Sequence, residues 1–327
     1  PHGWGVFYHQ NYNSDISQAF YPRHKRTKAA TSLPLAPPEI RHLVYRKLVE
    51  LSPASFNRVI VNGRGGLHAR GISDHSQYGS LPKTVRERNR LVERLIRALS
   101  KETGGGVPSF HGIPGFWKDT TGQVQLWSAQ DSGDDLMLIP FVGPDGLIRA
   151  CQIRFMRYVG NKSGRYVWLS SSKERTGCGP AAPLHHANPG PKLNKPVLVT
   201  EGALKAATVQ TFLTSRYVVG NSGVATAHGE IVETARGRPL EIAFDNDSFT
   251  NPHVARALAA LIRLRNADQT SLSYNDEVRV LTWDRHIKGI DEALLAGVRL
   301  VPLTVLEWLK CLGPECLEQA SRQISSV

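Results

Sequence analysis

Apolar positions follow two different periods along this chain, and the change of period divides it. Between residues 35 and 99 they recur every three or four positions. Ile40, Leu43, Val44, Leu48 and Leu51 predict one amphipathic helix, opened by Pro37-Pro38-Glu39, and Leu91, Leu95, Ile96 and Leu99 predict a second over 85–99. Arg86, Arg88, Arg90, Arg94 and Arg97 flank that second stripe and read as its wet face. A loop-rich stretch, 104–115, follows. The runs 136–141, 148–155 and 166–169 are then short, apolar and aromatic, with the turn signal Pro144-Asp145-Gly146 between the first two. They predict a β-hairpin with a third strand. Residues 177–195, rich in Gly, Pro and Asn, read as a connector.

After Pro196 strands and helices alternate: strand 197–200, helix 203–212, strands 217–219 and 240–244, helix 252–266, strand 278–283 and helix 291–296. Strands separated by helices imply right-handed crossovers and a largely parallel sheet covered on both faces. The expected fold class is therefore α/β, in five parts: a polar arm (1–32), a helical basic lobe (33–135), a β-rich subdomain and connector (136–195), the α/β domain (196–302) and a C-terminal helix (303–327). The arm holds the basic run Arg23-His24-Lys25-Arg26-Thr27-Lys28, which reads as a solvated segment, with nucleic-acid contact as the alternative.

Composition narrows the function classes. Hydrophobic residues make up 41% and charged residues 21% of the 327, and no apolar run reaches the about 18 residues of a membrane-spanning helix. Forty Lys and Arg against 28 Asp and Glu give a net charge of +12, which points to a polyanionic partner, nucleic acid foremost. Solubility is the plainer explanation of the same charge. The four cysteines are irregularly spaced without a CxxC pair, so zinc and redox chemistry are set aside. The start, Pro1-His2-Gly3-Trp4, lacks a basic segment followed by an apolar one, so a cytoplasmic protein is expected. Lacking an initiating Met, the sequence reads as a fragment or a processed chain.

Ligands of a parallel sheet gather at the carboxyl ends of its strands, and three residues just after predicted strands are acidic. Glu201 follows Val197-Leu198-Val199-Thr200, and Asp245 and Asp247 follow Ile242-Ala243-Phe244. Clustered carboxylates repel one another unless a cation intervenes, and hard oxygen donors suit Mg²⁺ or Mn²⁺. Taken singly, each is more often a turn or helix cap than a ligand.

The combination, Glu-Gly after one strand and Asp-x-Asp after a later one, resembles the TOPRIM domain. That family includes bacterial replicative primases, topoisomerases and nucleases. Thr200-Glu201-Gly202-Ala203-Leu204-Lys205 is similar to its first motif and Phe244-Asp245-Asn246-Asp247 to its second. The resemblance implies that Glu201, Asp245 and Asp247 are metal ligands and catalytic residues. Further segments are similar to primases: Leu138–Ile148 running on to Gln152-Ile153-Arg154, Tyr166-Val167-Trp168-Leu169-Ser170-Ser171 with Arg165 ahead of it, and Ala69-Arg70-Gly71-Ile72-Ser73. Lys288-Gly289-Ile290-Asp291-Glu292 is similar to the closing motif, which makes Asp291 a further acidic candidate, or else a helix N-cap.

On Thr200-Glu201-Gly202 with Lys205-Ala206, Ala243-Phe244-Asp245-Asn246-Asp247 and Lys288-Gly289-Ile290-Asp291 the chain resembles in particular the primase-like proteins of phages, plasmids and other mobile elements. The resemblance implies nucleotidyl transfer from nucleoside triphosphates on a single-stranded DNA template, Mg²⁺ or Mn²⁺ as cofactor, an RNA–DNA hybrid as product, and a replicative helicase as a partner. Lys205, Lys288, Arg70, Arg154, Arg157 and Arg165 are the nucleic-acid or nucleotide candidates, the last three expected along a groove between lobes with Tyr166 or Trp168 for base stacking. Trp168 reads equally as a buried structural residue. The alternatives are a TOPRIM nuclease, since the same metal chemistry hydrolyses when water attacks, and a non-catalytic single-stranded-DNA-binding accessory. Neither a zinc-binding module nor a helicase domain is found in this sequence, so the resemblance leaves template selection and helicase coupling open. His185 and His186 read as surface residues.

Overall fold

A computed structural model describes residues 33–157, 164–191, 194–268 and 277–325; the arm at 1–32, with its basic run, lies outside them. The chain groups into two units. The first holds the described residues up to Gly66 with Asp74–Pro140 and Ile148–Ala181, and the second holds Leu67–Ser73, Phe141–Leu147 and the chain from Ala182. The segment 136–195 is thus shared between the units.

In the first unit, α1 (Pro38–Leu51) starts on a proline, whose missing N–H costs nothing in a first turn, and buries Val44, Tyr45, Leu48 and Val49. Asn57 caps α2 (Arg58–Asn62) by accepting from the N–H groups of Val59 and Ile60. The strand β1 (Gly79–Leu81) follows. Then α3 (Val85–Glu102) opens with a capping box between Thr84 and Glu87 and buries Leu91, Val92, Leu95 and Leu99. Arg88 departs from the expected wet face of α3. It is fully buried, and its guanidinium donates to the carbonyls of Pro82, Lys83, Ser128 and Gln130 at 2.5–3.0 Å, so it ties down a loop.

The strands β2 (Phe116–Lys118) and β3 (Val124–Leu126) pair with each other, and β4 (Leu136–Val142), β5 (Ile148–Phe155) and β6 (Tyr166–Trp168) join β1 in a sheet of order β1-β4-β5-β6. The lobe expected to be helical therefore contains β1, β2 and β3 as well. Each spans three residues, too few for an alternation to show in sequence.

The second unit runs β7 (His185–His186), β8 (Val197–Glu201), α4 (Ala203–Phe212), β9 (Tyr217–Asn221), α5 (His228–Ala235), β10 (Leu240–Ala243), α6 (Pro252–Ala267), β11 (Val278–Thr282), α7 (Ile290–Leu295), β12 (Val301–Thr304), α8 (Val305–Lys310) and α9 (Pro314–Ser325). Its strand order is β12-β11-β10-β8-β9-β7. The four inner strands are parallel and the two edges antiparallel. One apolar layer packs Val197, Val199, Val219 and Ile242 against α5, α6, α8 and α9; the other packs Leu198, Val218 and Ala243 against α4 and α7. This is the doubly covered, mainly parallel α/β sheet expected from the sequence. The C-terminal region is a correction: it is an edge strand and two helices, not one helix, because Thr304 and Glu307 form a capping box that starts α8 and Gly313-Pro314 separates it from α9. Among the described residues no helix is long and apolar enough to cross a membrane.

His185 and His186 are also corrected: both are buried, as an antiparallel edge strand on β9. His185 Nδ1 accepts the N–H of Val142 at 3.2 Å, which fixes the other ring nitrogen as the protonated one. Burial, then the neighbouring His186, lowers its pKa to about 3. The unfolded imidazole titrates near 6.5, so this contribution to stability is complete above that pH and is lost as pH falls from about 6.5 towards 3. At pH 5 the loss is about 2 kcal/mol. We expect the melting temperature to fall between pH 7 and 5, and less in His185→Asn; equal acid sensitivity in the two proteins would contradict the assignment.

Candidate metal centre

From β8 the chain moves to one side to form β9, then returns to the other side for β10 and β11. The order therefore reverses between β8 and β10, and the crevice outside the carboxyl ends of such a pair is where open α/β sheets bind ligands. Glu201 ends β8, and Asp245 lies two residues beyond the end of β10. The two are in direct contact, the N–H of Asp245 donating to Glu201 Oε1 at 3.2 Å.

Asn246 holds the segment 284–291 beside them. Its N–H donates to the Lys288 carbonyl at 3.0 Å, and its side-chain amide donates to the carbonyls of Asp284 at 3.0 Å and Ile287 at 2.8 Å. Lys288 Nζ is thereby brought to 3.8 Å from Asp245 Oδ2 while remaining mostly exposed. Asp291 is buried in the first turn of α7, whose N-cap is Gly289, so the capping alternative for Asp291 does not hold. Its Oδ2 accepts from Arg70 Nη1 at 2.9 Å. The Arg70 carbonyl in turn accepts from Thr208 of α4 at 2.9 Å.

Lys205 completes the group from the first turn of α4, where its ammonium donates to Asp245 Oδ1. Gly289 leaves room beside it: a methyl group there would lie 3.3 Å from Lys205 Nζ and 2.5 Å from Asp291 Oδ1. Gly202, which links β8 to α4, has φ +82° and ψ 146°, a conformation open essentially to glycine alone. Glu-Gly in the first motif thus has a backbone reason.

Electrostatics follow from this crowding. Burial, then the charge of Asp245, raises the Glu201 carboxyl to about 7 against the opposing pull of Lys205. Asp247 is likewise raised, by burial and then by Asp245. Burial alone would lower Lys205, but Asp245, Glu201 and Asp291 raise it above its ordinary value.

Two features were not evident from sequence. Asn221, in register with Glu201 on the adjacent parallel strand, is fully buried, and neither its amide oxygen nor its amide nitrogen has a hydrogen-bond partner. Asp247 Oδ1 is buried without a partner too. Orphaned buried groups beside carboxylates mark a place where water or an ion belongs. Among the described residues no group of three or more His, Cys, Asp or Glu side chains is arranged around a common metal position. The physical reason is in the pairs above: Asp245 is turned to Lys205 and Asp291 to Arg70. The donor set, hard oxygens with an orphaned carboxylate oxygen, still fits a divalent cation such as Mg²⁺ or Mn²⁺.

The remaining basic candidates lie in the first unit. Arg154 is 1% exposed, donates to the Gly65 carbonyl and sits over the Tyr166 ring at 5.7 Å, so it holds the Gly65 turn from inside. Trp168 is buried as well. Arg165 is partly buried, whereas Arg157 is 65% exposed and lies 3.6 Å from Asp135. Of the three arginines assigned by resemblance in that unit, Arg157 presents the most surface.

No family model matches the sequence, and no curated protein matches it. Solved structures do, and the chain is similar in fold to catalytic cores of DnaG-type primases. With the zinc-binding and RNA polymerase domains of the Aquifex aeolicus primase it shares 18% identity over 88% of this chain and 67% of that one, at a TM-score of 0.47. With a DNA primase domain from Pseudomonas aeruginosa the figures are 15%, 86% and 95%, at 0.49. With the RNA polymerase domain of the Mycobacterium tuberculosis primase they are 14%, 87% and 98%, at 0.48. At these identities the likeness concerns the general fold and not the chemistry.

Proposed function

We propose that this chain is a metal-dependent nucleotidyltransferase acting on nucleic acid, a primase that joins ribonucleoside triphosphates on single-stranded DNA in the replication of a mobile element. The observation that carries the reading is the gathering of Glu201, Asp245 and Asp247 at the strand-order reversal between β8 and β10, the position where such sheets bind ligands. A divalent cation held on the Glu201 and Asp247 side of this cluster would neutralise phosphate oxygens and favour ionisation of an attacking hydroxyl. Asn246 keeps Lys288 at the rim, where an exposed ammonium beside Asp245 suits a phosphate. The net charge of +12 suits a polyanionic template.

A second reading, a non-catalytic single-stranded-DNA-binding protein, is favoured by the pairing of Asp245 and Asp291 with cations of the chain itself. One assay separates these readings and the nuclease alternative. The full chain is incubated with single-stranded DNA, labelled ribonucleoside triphosphates and Mg²⁺ or Mn²⁺, and products are resolved by length. Short labelled oligomers are the expected result. Shortened template would identify a nuclease, and salt-dependent retention of DNA with neither change would identify the accessory.

A further inference from the structure

Four carboxylates gather at the rim of the second unit, but their free oxygens are unevenly distributed. Asp291 gives Oδ2 to Arg70, and its Oδ1 faces the Gly289 backbone beside Lys205. Asp245 gives Oδ1 to Lys205 and has Lys288 near Oδ2. Glu201 Oε1 accepts a backbone N–H, and Asp247 Oδ1 accepts nothing. Next to Glu201, on the same face of the sheet because residues in register on parallel strands point the same way, lies the fully buried and unpartnered amide of Asn221. Unmet coordination is therefore concentrated on the side of Glu201, Asp247 and Asn221, and the side of Asp245 and Asp291 is already served by cations of the chain.

We infer that Lys205 is a resident cation that holds one of two cation places in this acidic cluster, so that the site takes a single divalent cation, on the Glu201, Asp247 and Asn221 side. The charge balance agrees. With a cation bound and all four carboxylates ionised, Arg70, Lys205 and Lys288 leave one net negative charge on the protein, which one divalent cation reverses to one positive. A second would leave three positive charges within one small volume, an arrangement that Coulomb repulsion opposes in the absence of phosphate. Asn221 acts as a positioning residue, its amide oxygen accepting from water on the cation.

The inference rests on the metal reading proposed above, and cation counting distinguishes the two. The full chain, free of nucleotide, is titrated with Mn²⁺, and bound ions are counted by electron paramagnetic resonance and calorimetry. One ion per chain is expected, and Lys205→Met should bind a second, or bind the first about tenfold or more tightly. Two ions on the unaltered chain, or a Lys205→Met protein that binds as the unaltered one does, would overturn the resident-cation role and leave the metal site standing. No ion on either protein would remove the metal reading itself, and this inference with it. Should Lys205→Met fail to fold, the count on the unaltered chain decides alone. Asn221→Leu should weaken Mn²⁺ binding about tenfold with its circular dichroism intact, and unchanged binding would remove Asn221 from the assignment.

Discussion

Replacing Asp245 with Asn should lower labelled-ribonucleotide incorporation by about 10³-fold or more, since the carboxylate that holds Lys205 beside Glu201 sets the charge of the metal centre, and such a loss is worth several kcal/mol of barrier. The amide keeps the shape of the carboxylate, and the backbone N–H of residue 245 still donates to Glu201 Oε1, so folding should be intact. Glu201→Gln should behave alike in activity, with no loss of thermal stability, because it removes one charge from a group of mutually repelling carboxylates. Activity of Asp245→Asn within a few-fold of the unaltered chain, at equal circular dichroism, would remove Asp245 from the catalytic site.

The second large effect concerns stability. Arg70→Met takes away the partner of a carboxylate whose side chain is 8% exposed, and breaking such a pair from one side leaves a buried charge uncompensated. Lys205 still faces Asp291, which places the cost at the low end of the range for buried pairs, about 3 kcal/mol, or a melting point roughly 5–10 °C lower. Adding Asp291→Asn to Arg70→Met should restore part of this, because the stranded charge is then gone. Strictly additive losses in the two single variants and the double variant would show that the pair contributes nothing.

The parts of this structure that were readable from sequence are those with local causes. Val197 to Thr200 reads as a strand because four apolar or β-branched residues stand between Pro196 and Glu201, and α4 and α6 were placed within a residue or so by their flanking Gly202 and Pro252. Glu201 and Asp245 were visible as candidates because strand ends present their next residue to the crevice. What was hidden depends on distant partners. Nothing near Arg70 announces Asp291, which is 221 positions away, and the resemblance assigned Arg70 to nucleic acid. His185 and His186 are buried only because β9 offers an edge for a two-residue strand. The resemblance set Arg154 along a nucleic-acid groove, but β5 is buried on both faces over most of its length and Gly65 supplies its acceptor. Asn221 was missed because a lone amide at a strand end carries no sequence signal.

The contact between Glu201 and Asp245 joins residues 44 apart, and it exists only after β10 has come to lie along β8, with β9 already on the opposite flank. Non-local parallel pairing of this kind pays loop-closure entropy before it is rewarded, so the acidic pocket forms no earlier than the pairing of β8 with β10. An ion that recognises the finished pocket and not its separated strands acts on the folding equilibrium by mass action. Raising Mn²⁺ would then slow unfolding of the second unit while leaving the early, helix-forming events at their own pace.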